Sequence, residues 1–119
     1  MFDNSKSELN CYDEVAEQQM MEVIDNAKKA GDTLGGVFEV VVTGAVKGLG
    51  SHIQWDTRLD AKIAAALMSI QAIKGVEVGE GFEYANLPGS KAHDEMFLTE
   101  NKNYMRKTNH AGGIEGGMS

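Results

Sequence analysis

Leu59-Asp60-Ala61-Lys62-Ile63-Ala64-Ala65-Ala66-Leu67-Met68-Ser69-Ile70-Gln71-Ala72-Ile73-Lys74-Gly75-Val76-Glu77 is the stretch that decides the fold. Leu59, Ile63, Ala66, Leu67 and Ile70 recur at helical spacing, and Ala61, Ala64 and Ala65 thin the remaining surface. Asp56 is placed to cap a helix that starts near Thr57 and runs to Ile70, with Gly75 as its stop. From Ile63 to Met68 the helix carries no polar side chain. A helix without a polar stripe is covered on more than one side, as the middle layer of a sandwich is. Val76 and Val78 flank Glu77 in a short strand that follows.

Upstream, Val37-Phe38-Glu39-Val40-Val41-Val42-Thr43 is too rich in β-branched residues for a helix, and the spacing predicts a strand over 37–46. Both alternating sets are largely apolar, so this strand is expected to be covered on both faces. It breaks at Gly44, and Gly48-Leu49-Gly50-Ser51 forms a loop. Earlier still, Val15, Ala16, Met20, Val23, Ile24 and Ala27 mark an amphipathic helix, with Lys28, Lys29 and Gly31 as its C-terminal signals. Its outer face of Glu14, Glu17, Gln18, Glu22 and Asp25 is a solvated surface with no chemistry assigned to it.

Past Val78, Gly79-Glu80-Gly81-Phe82 turns the chain into an irregular stretch through Asn86, Pro88, Gly89 and Ser90. Residues 91–107 are polar and poorly periodic, and are expected to form an exposed, mobile loop. The whole of 1–119 reads as a single partial domain of α+β class.

Composition narrows the function classes. With 18 Asp and Glu against 11 Lys and Arg, the net charge of -7 opposes a phosphate-backbone binder, so no nucleic-acid partner is expected. No apolar run approaches the roughly 18 to 20 residues that span a bilayer, so no membrane partner is expected either. Met1-Phe2-Asp3-Asn4-Ser5-Lys6 lacks the basic and apolar regions of a secretory signal, which makes the cytoplasm the expected compartment. The lone Cys11 has no partner for a disulfide, a metal site or a redox pair.

The three histidines, His52, His93 and His110, stand at no metal-ligand spacing, so no metal is expected. Gly48-Leu49-Gly50-Ser51-His52 lacks the order of a serine-nucleophile elbow. Gly44-Ala45-Val46-Lys47-Gly48-Leu49-Gly50-Ser51 places its lysine before the last glycines and fails as a phosphate loop. The segment 108–119, Thr108-Asn109-His110-Ala111-Gly112-Gly113-Ile114-Glu115-Gly116-Gly117-Met118-Ser119, holds four glycines in six residues. Neither helix nor sheet stability justifies them, and such backbone serves close approach, with the N–H groups of Gly112 to Gly117 able to hold an anionic ligand. His110 abuts this cluster and is the best placed of the histidines. No later strand or helix follows to pin the segment.

Four stretches, taken together, closely resemble the chorismate synthase family. They are Gly31-Asp32-Thr33-Leu34-Gly35-Gly36-Val37, Gly48-Leu49-Gly50, the run from Leu59 to Glu77, and Thr108 to Gly117. The resemblance covers the chain from about Cys11 to Ser119. It implies a fold of antiparallel sheets sandwiching central helices, built from two related βα halves, of which this chain is an internal piece. It also implies a cytoplasmic homotetramer that converts 5-enolpyruvylshikimate 3-phosphate to chorismate and phosphate by trans-1,4 elimination, using reduced FMN.

Family flavin contacts map onto Gln71 and Ala72 and onto Gly116, making 108–119 a flavin-site segment. Gln71 stands where the family commonly has Asn, a longer side chain with the same amide donor and acceptor. The family's two catalytic histidines have no counterpart here, so no residue of this chain is assigned a catalytic role. The substrate's phosphate and carboxylates call for clustered arginines, and only Arg58 and Arg106 are present. The chain alone is therefore expected to be inactive. Without the resemblance, two other readings stand: an oligomerisation or protein-binding module using the helix from Thr57 to Ile70, and a flavin-binding module without lyase chemistry.

Overall fold

The computed structural model describes residues 7–119; the Met1–Lys6 stretch read above for a secretory signal lies outside them. The chain divides into two compact units, Met1–Val41 and Val42–Ser119. The described residues are of α+β class, with a few helices and one two-stranded sheet among them.

The first unit is built on α1, Glu14–Ala30. Asp13 caps it, its Oδ1 accepting from the Val15 and Ala16 N–H groups at 2.8 and 3.1 Å. Gly31, at φ +70°, ends it: the Gly31 N–H donates to the Lys28 carbonyl and the Asp32 N–H to the Ala27 carbonyl, the paired closure of a Schellman motif. Acidic Glu14 and Glu17 in the first turn and basic Lys28 and Lys29 in the last suit the helix dipole. The amphipathic helix expected from the sequence is thus present with its stop signals in use.

The expected strand over 37–46 is not formed. Residues 37–46 form no strand ladder with any described residue, and Val37, Val40, Val41 and Val42 are exposed. A strand is a property of a ladder, and β-branched residues supply the propensity but not the neighbour.

In the second unit a 3₁₀ turn, Trp55–Thr57, leads into α2, Leu59–Met68. Here the sequence reading needs correction at both ends. Asp56 lies within the 3₁₀ turn and does not cap the helix; Arg58 holds the cap position without a side-chain bond. The first N–H of the helix, on Leu59, is satisfied by the distant Gly117 carbonyl at 2.8 Å, so a local cap is not required. At the other end the helix stops at Met68, not at Ile70 or Gly75. Ser69 Oγ bonds back to the Ala66 carbonyl at 2.6 Å, and Ala72 takes a left-handed φ of +69°. The expected burial on several sides is also not met by the described residues, since Ile63, Met68 and Ile70 are exposed.

Val76 to Val78 forms no strand, yet its alternation survives. Val76 and Val78 line a shallow cavity of about 360 Å³ with Trp55, Arg58, Asp60, Ala61 and Ala64, whereas Glu77 faces Gly81. A second 3₁₀ turn, Gly81–Asn86, and a single helical turn α3, Gly89–Ala92, follow. The stretch 91–107, read as an exposed loop, carries a hairpin: β1, Met96–Leu98, pairs antiparallel with β2, Tyr104–Arg106, with Met96 opposite Arg106 and Leu98 opposite Tyr104. All six strand residues are exposed. Polar spacing hid this element because a hairpin with no buried face shows no alternation of burial.

Candidate functional site

The glycine segment is held at both ends by parts of the chain that precede it. At its leading end stands Asp94, just after α3 and only 5% exposed in a unit whose one buried apolar side chain is Ala92. Asp94 Oδ1 accepts from the Thr108 hydroxyl at 2.6 Å and the His110 N–H at 2.7 Å, while Oδ2 accepts from the Ala111 N–H at 2.9 Å. Burial pushes this carboxyl up, but the Thr108, Ala111 and His110 bonds outweigh it and hold the group below the usual aspartate range. His110 Nδ1 lies 2.5 Å from Glu80 Oε1, and the Glu80 N–H donates to the His110 carbonyl at 2.8 Å.

Gly79 and Gly112 make the tightest crossing. A Cβ on Gly79 would lie 2.1 Å from the His110 carbonyl oxygen, and one on Gly112 would lie 2.6 Å from the Gly79 nitrogen. Only residues without a side chain allow the two backbones to pass.

The trailing end is pinned as well, which corrects the expectation of an unanchored segment. Leu49 and Ser119 exchange bonds, the Gly48 N–H donates to the Ser119 carbonyl at 3.0 Å, and Ser119 Oγ donates to the Val46 carbonyl at 2.7 Å. No later strand is needed because the earlier loop serves. Between the anchors, Glu115 and Met118 exchange N–H to carbonyl bonds of 3.0 Å around Gly116 and Gly117, at φ +58° and +85°. Both central residues left-handed is the requirement of a type I′ turn.

The four glycines therefore divide. Gly112 and Gly117 serve the chain's own backbone, the latter lying against Arg58 and Ser51. The positions of Gly113 and Gly116 are open: nothing lies within 4 Å of a Cβ on Gly116. Their N–H groups have no partner among the described residues, whereas the Gly112 N–H is taken by the Asn109 carbonyl at 3.0 Å.

Gln71 and Ala72 occupy the turn after α2 and are exposed. The left-handed Ala72 is a strained position of the kind found at ligand sites. The structure does not bring this pair against Gly116. The turn containing Gly116 abuts the start of α2, whereas Gln71 follows its end, and ten residues of helix span about 15 Å. His52 and His93 are exposed, and neither joins His110. Among the described residues no cluster of three or more His, Cys, Asp or Glu is arranged for a metal.

Both arginines are committed to internal carboxylates. Arg58 Nε donates to Asp60 Oδ1 at 3.0 Å, and hydrogen bonding to Arg58 holds the Asp60 carboxyl below its usual range. Arg106 Nη1 donates to the Asp94 carbonyl at 2.6 Å and its guanidinium pairs with Glu115. The sequence reading missed Asp94, Glu80 and Gly79. Asp94 sits in a charged His-Asp-Glu triplet that reads as surface, and two glycines that cross from distant positions leave no local signature.

A family model described as chorismate synthase matches residues 1–119. The chain is 62% identical over 113 residues to the chorismate synthase of Alkaliphilus metalliredigens, covering 95% of this chain and 30% of that protein. It is 58% identical over 122 residues to the chorismate synthase of Geobacter metallireducens, covering 97% of this chain and 31% of the relative. A crystal structure of chorismate synthase superposes with a TM-score of 0.90 at 50% identity, covering 98% of this chain and 34% of the other. The chain thus spans about a third of the length of the relatives it matches, and it belongs to the chorismate synthase family.

Proposed function

We propose that this chain is a piece of a chorismate synthase, a phosphate lyase of the shikimate pathway and aromatic amino-acid biosynthesis. The intact enzyme would convert 5-enolpyruvylshikimate 3-phosphate to chorismate and phosphate by trans-1,4 elimination. What supports this reading is the family match over 1–119 together with the overall superposition on a solved chorismate synthase. When bound, reduced FMN supplies an electron transiently, with no net redox change.

The residues present fit a flavin contact. The open face and unpartnered N–H of Gly116, the exposed Gln71 amide and the left-handed Ala72 backbone are the groups that would hold it. Acid-base roles would belong to other parts of the intact enzyme, and Arg58 and Arg106 here already have carboxylate partners in Asp60 and Glu115. The chain alone is inactive in this reading. In the intact protein, further sheets would cover α2 and residues 37–46 to complete the sandwich, within a cytoplasmic homotetramer. Motion in the 91–107 loop would be confined to the hairpin beyond the buried Asp94. No helix among the described residues is long and apolar enough to cross a membrane.

The test is an anaerobic assay with reduced FMN and 5-enolpyruvylshikimate 3-phosphate. It compares the chain alone with a chimera in which the chain replaces the matching third of the Alkaliphilus metalliredigens enzyme. Chorismate from the chimera and none from the chain supports the proposal; a folded, flavin-bound chimera without product overturns it. The exposed apolar residues of α2 favour one second reading, an association module. Flavin fluorescence separates the two, because a pure association module leaves it unchanged on titration.

A further inference from the structure

The geometry points to Asp94 as the positioning residue of the glycine turn, setting the conformation of Gly116 and through it the affinity for flavin. The flavin part of this inference rests on the proposed function. Asp94 grips the segment from two directions. Its carboxylate takes the Thr108 hydroxyl and the N–H groups of His110 and Ala111, which fixes the backbone entering Gly112. Its carbonyl accepts Arg106 Nη1, and the same guanidinium pairs with Glu115, the first residue of the turn whose next member is Gly116. Asp94 thus reaches the residues that lead into each open N–H group, Ala111 ahead of Gly113 and, through Arg106, Glu115 ahead of Gly116.

A buried carboxylate left with fewer partners is costly, and Asp94, only 5% exposed, draws all three of its carboxylate bonds from this segment, so the segment's backbone is tied to it. Glycine turns have the widest conformational freedom of any backbone, and a ligand that uses their N–H groups binds weakly unless something else holds them. The Asp94 clamp supplies that restraint before any ligand arrives.

The test uses Asp94→Asn in the full 119-residue chain and in the Alkaliphilus chimera. In the chain, amide hydrogen exchange at Ala111 and at Met118, whose N–H closes the turn around Gly116, is expected to accelerate by about tenfold or more, with α1 amides unchanged. In the chimera, reduced FMN is expected to bind about tenfold more weakly while kcat at saturating flavin stays within about threefold, a split that simple loss of folded protein does not produce. Should Asp94→Asn fail to fold, Thr108→Val removes one of the three carboxylate bonds and is expected to weaken flavin binding by about threefold. Unchanged exchange at Met118, or unchanged flavin affinity in an active chimera, overturns the inference. If the unsubstituted chimera makes no chorismate and the chain binds no flavin, the proposed function falls, and the exchange at Met118 still decides the role of Asp94.

Discussion

Gly79 and Gly112 lie against each other so closely that a methyl group on either would enter the other's backbone, at 2.6 Å from Gly79 N in one case and 2.6 Å from Gly112 N in the other. This contact is what lets the Glu80 N–H reach the His110 carbonyl. Gly79→Ala and Gly112→Ala are expected to cost more than 2 kcal/mol, roughly, because backbone cannot yield and both residues are left-handed. Gly116→Ala, open on every side, is expected to cost only about 1 kcal/mol from its φ. Gly89→Ala, with no positive φ and no neighbour within 4 Å, serves as the neutral control. Urea midpoints of the four variants check the order; equal losses at Gly112 and Gly116 would rule out the crossing as the cause.

The N-cap of α1 is a single side chain making two bonds. Asp13→Ala is expected to lower helix stability by about 1 kcal/mol, and Asp13→Ser to restore most of it. Circular dichroism at low temperature measures both. No loss on Asp13→Ala would mean that Ser7 and Glu17, which tie down the preceding turn, hold the helix start unaided.

Acid should loosen the glycine segment first. The folded Asp94 titrates below its unfolded value, so its contribution is fully present above about pH 4 and is lost as pH falls through the lower, folded pKa. Glu95, lowered by its bond to Lys107, and Asp60, lowered by Arg58, act with the same sign but lie more exposed. Amide exchange at His110 and Ala111 is expected to rise as pH falls below about 4 after correction for intrinsic rates, and Asp94→Asn to abolish that pH dependence. A parallel rise at the α1 amides would point to global unfolding instead.

Exposed valines at 37, 40, 41 and 42 and the open face of α2 leave apolar surface and unpaired backbone together. The 119-residue chain is expected to self-associate at micromolar concentration, and Val40→Lys with Val42→Lys to reduce that association. Light scattering that shows a clean monomer for the unsubstituted chain would count against it.

What sequence alone determined is what local chemistry encodes. Asp13, Lys28, Lys29 and Gly31 bracket α1 through bonds within a turn of each end, and the run from Leu59 to Ile70 marks α2 by its spacing. The glycine cluster announced itself because no regular element tolerates that composition, and its motif order carried the family resemblance. Tertiary structure decided the rest. Val37 to Val46 has every propensity of a strand but joins no ladder among the described residues, because a ladder requires a neighbouring strand that propensity cannot supply. The start of α2 moved to Leu59 because Gly117, far along the chain, satisfies its N–H. Asp94 looked like surface charge until folding brought Thr108, His110 and Ala111 to its carboxylate. Which glycines were free for a ligand was likewise invisible in composition: only the crossing at Gly79 and the packing of Gly117 against Arg58 and Ser51 show that Gly112 and Gly117 serve the chain itself, leaving Gly113 and Gly116 open.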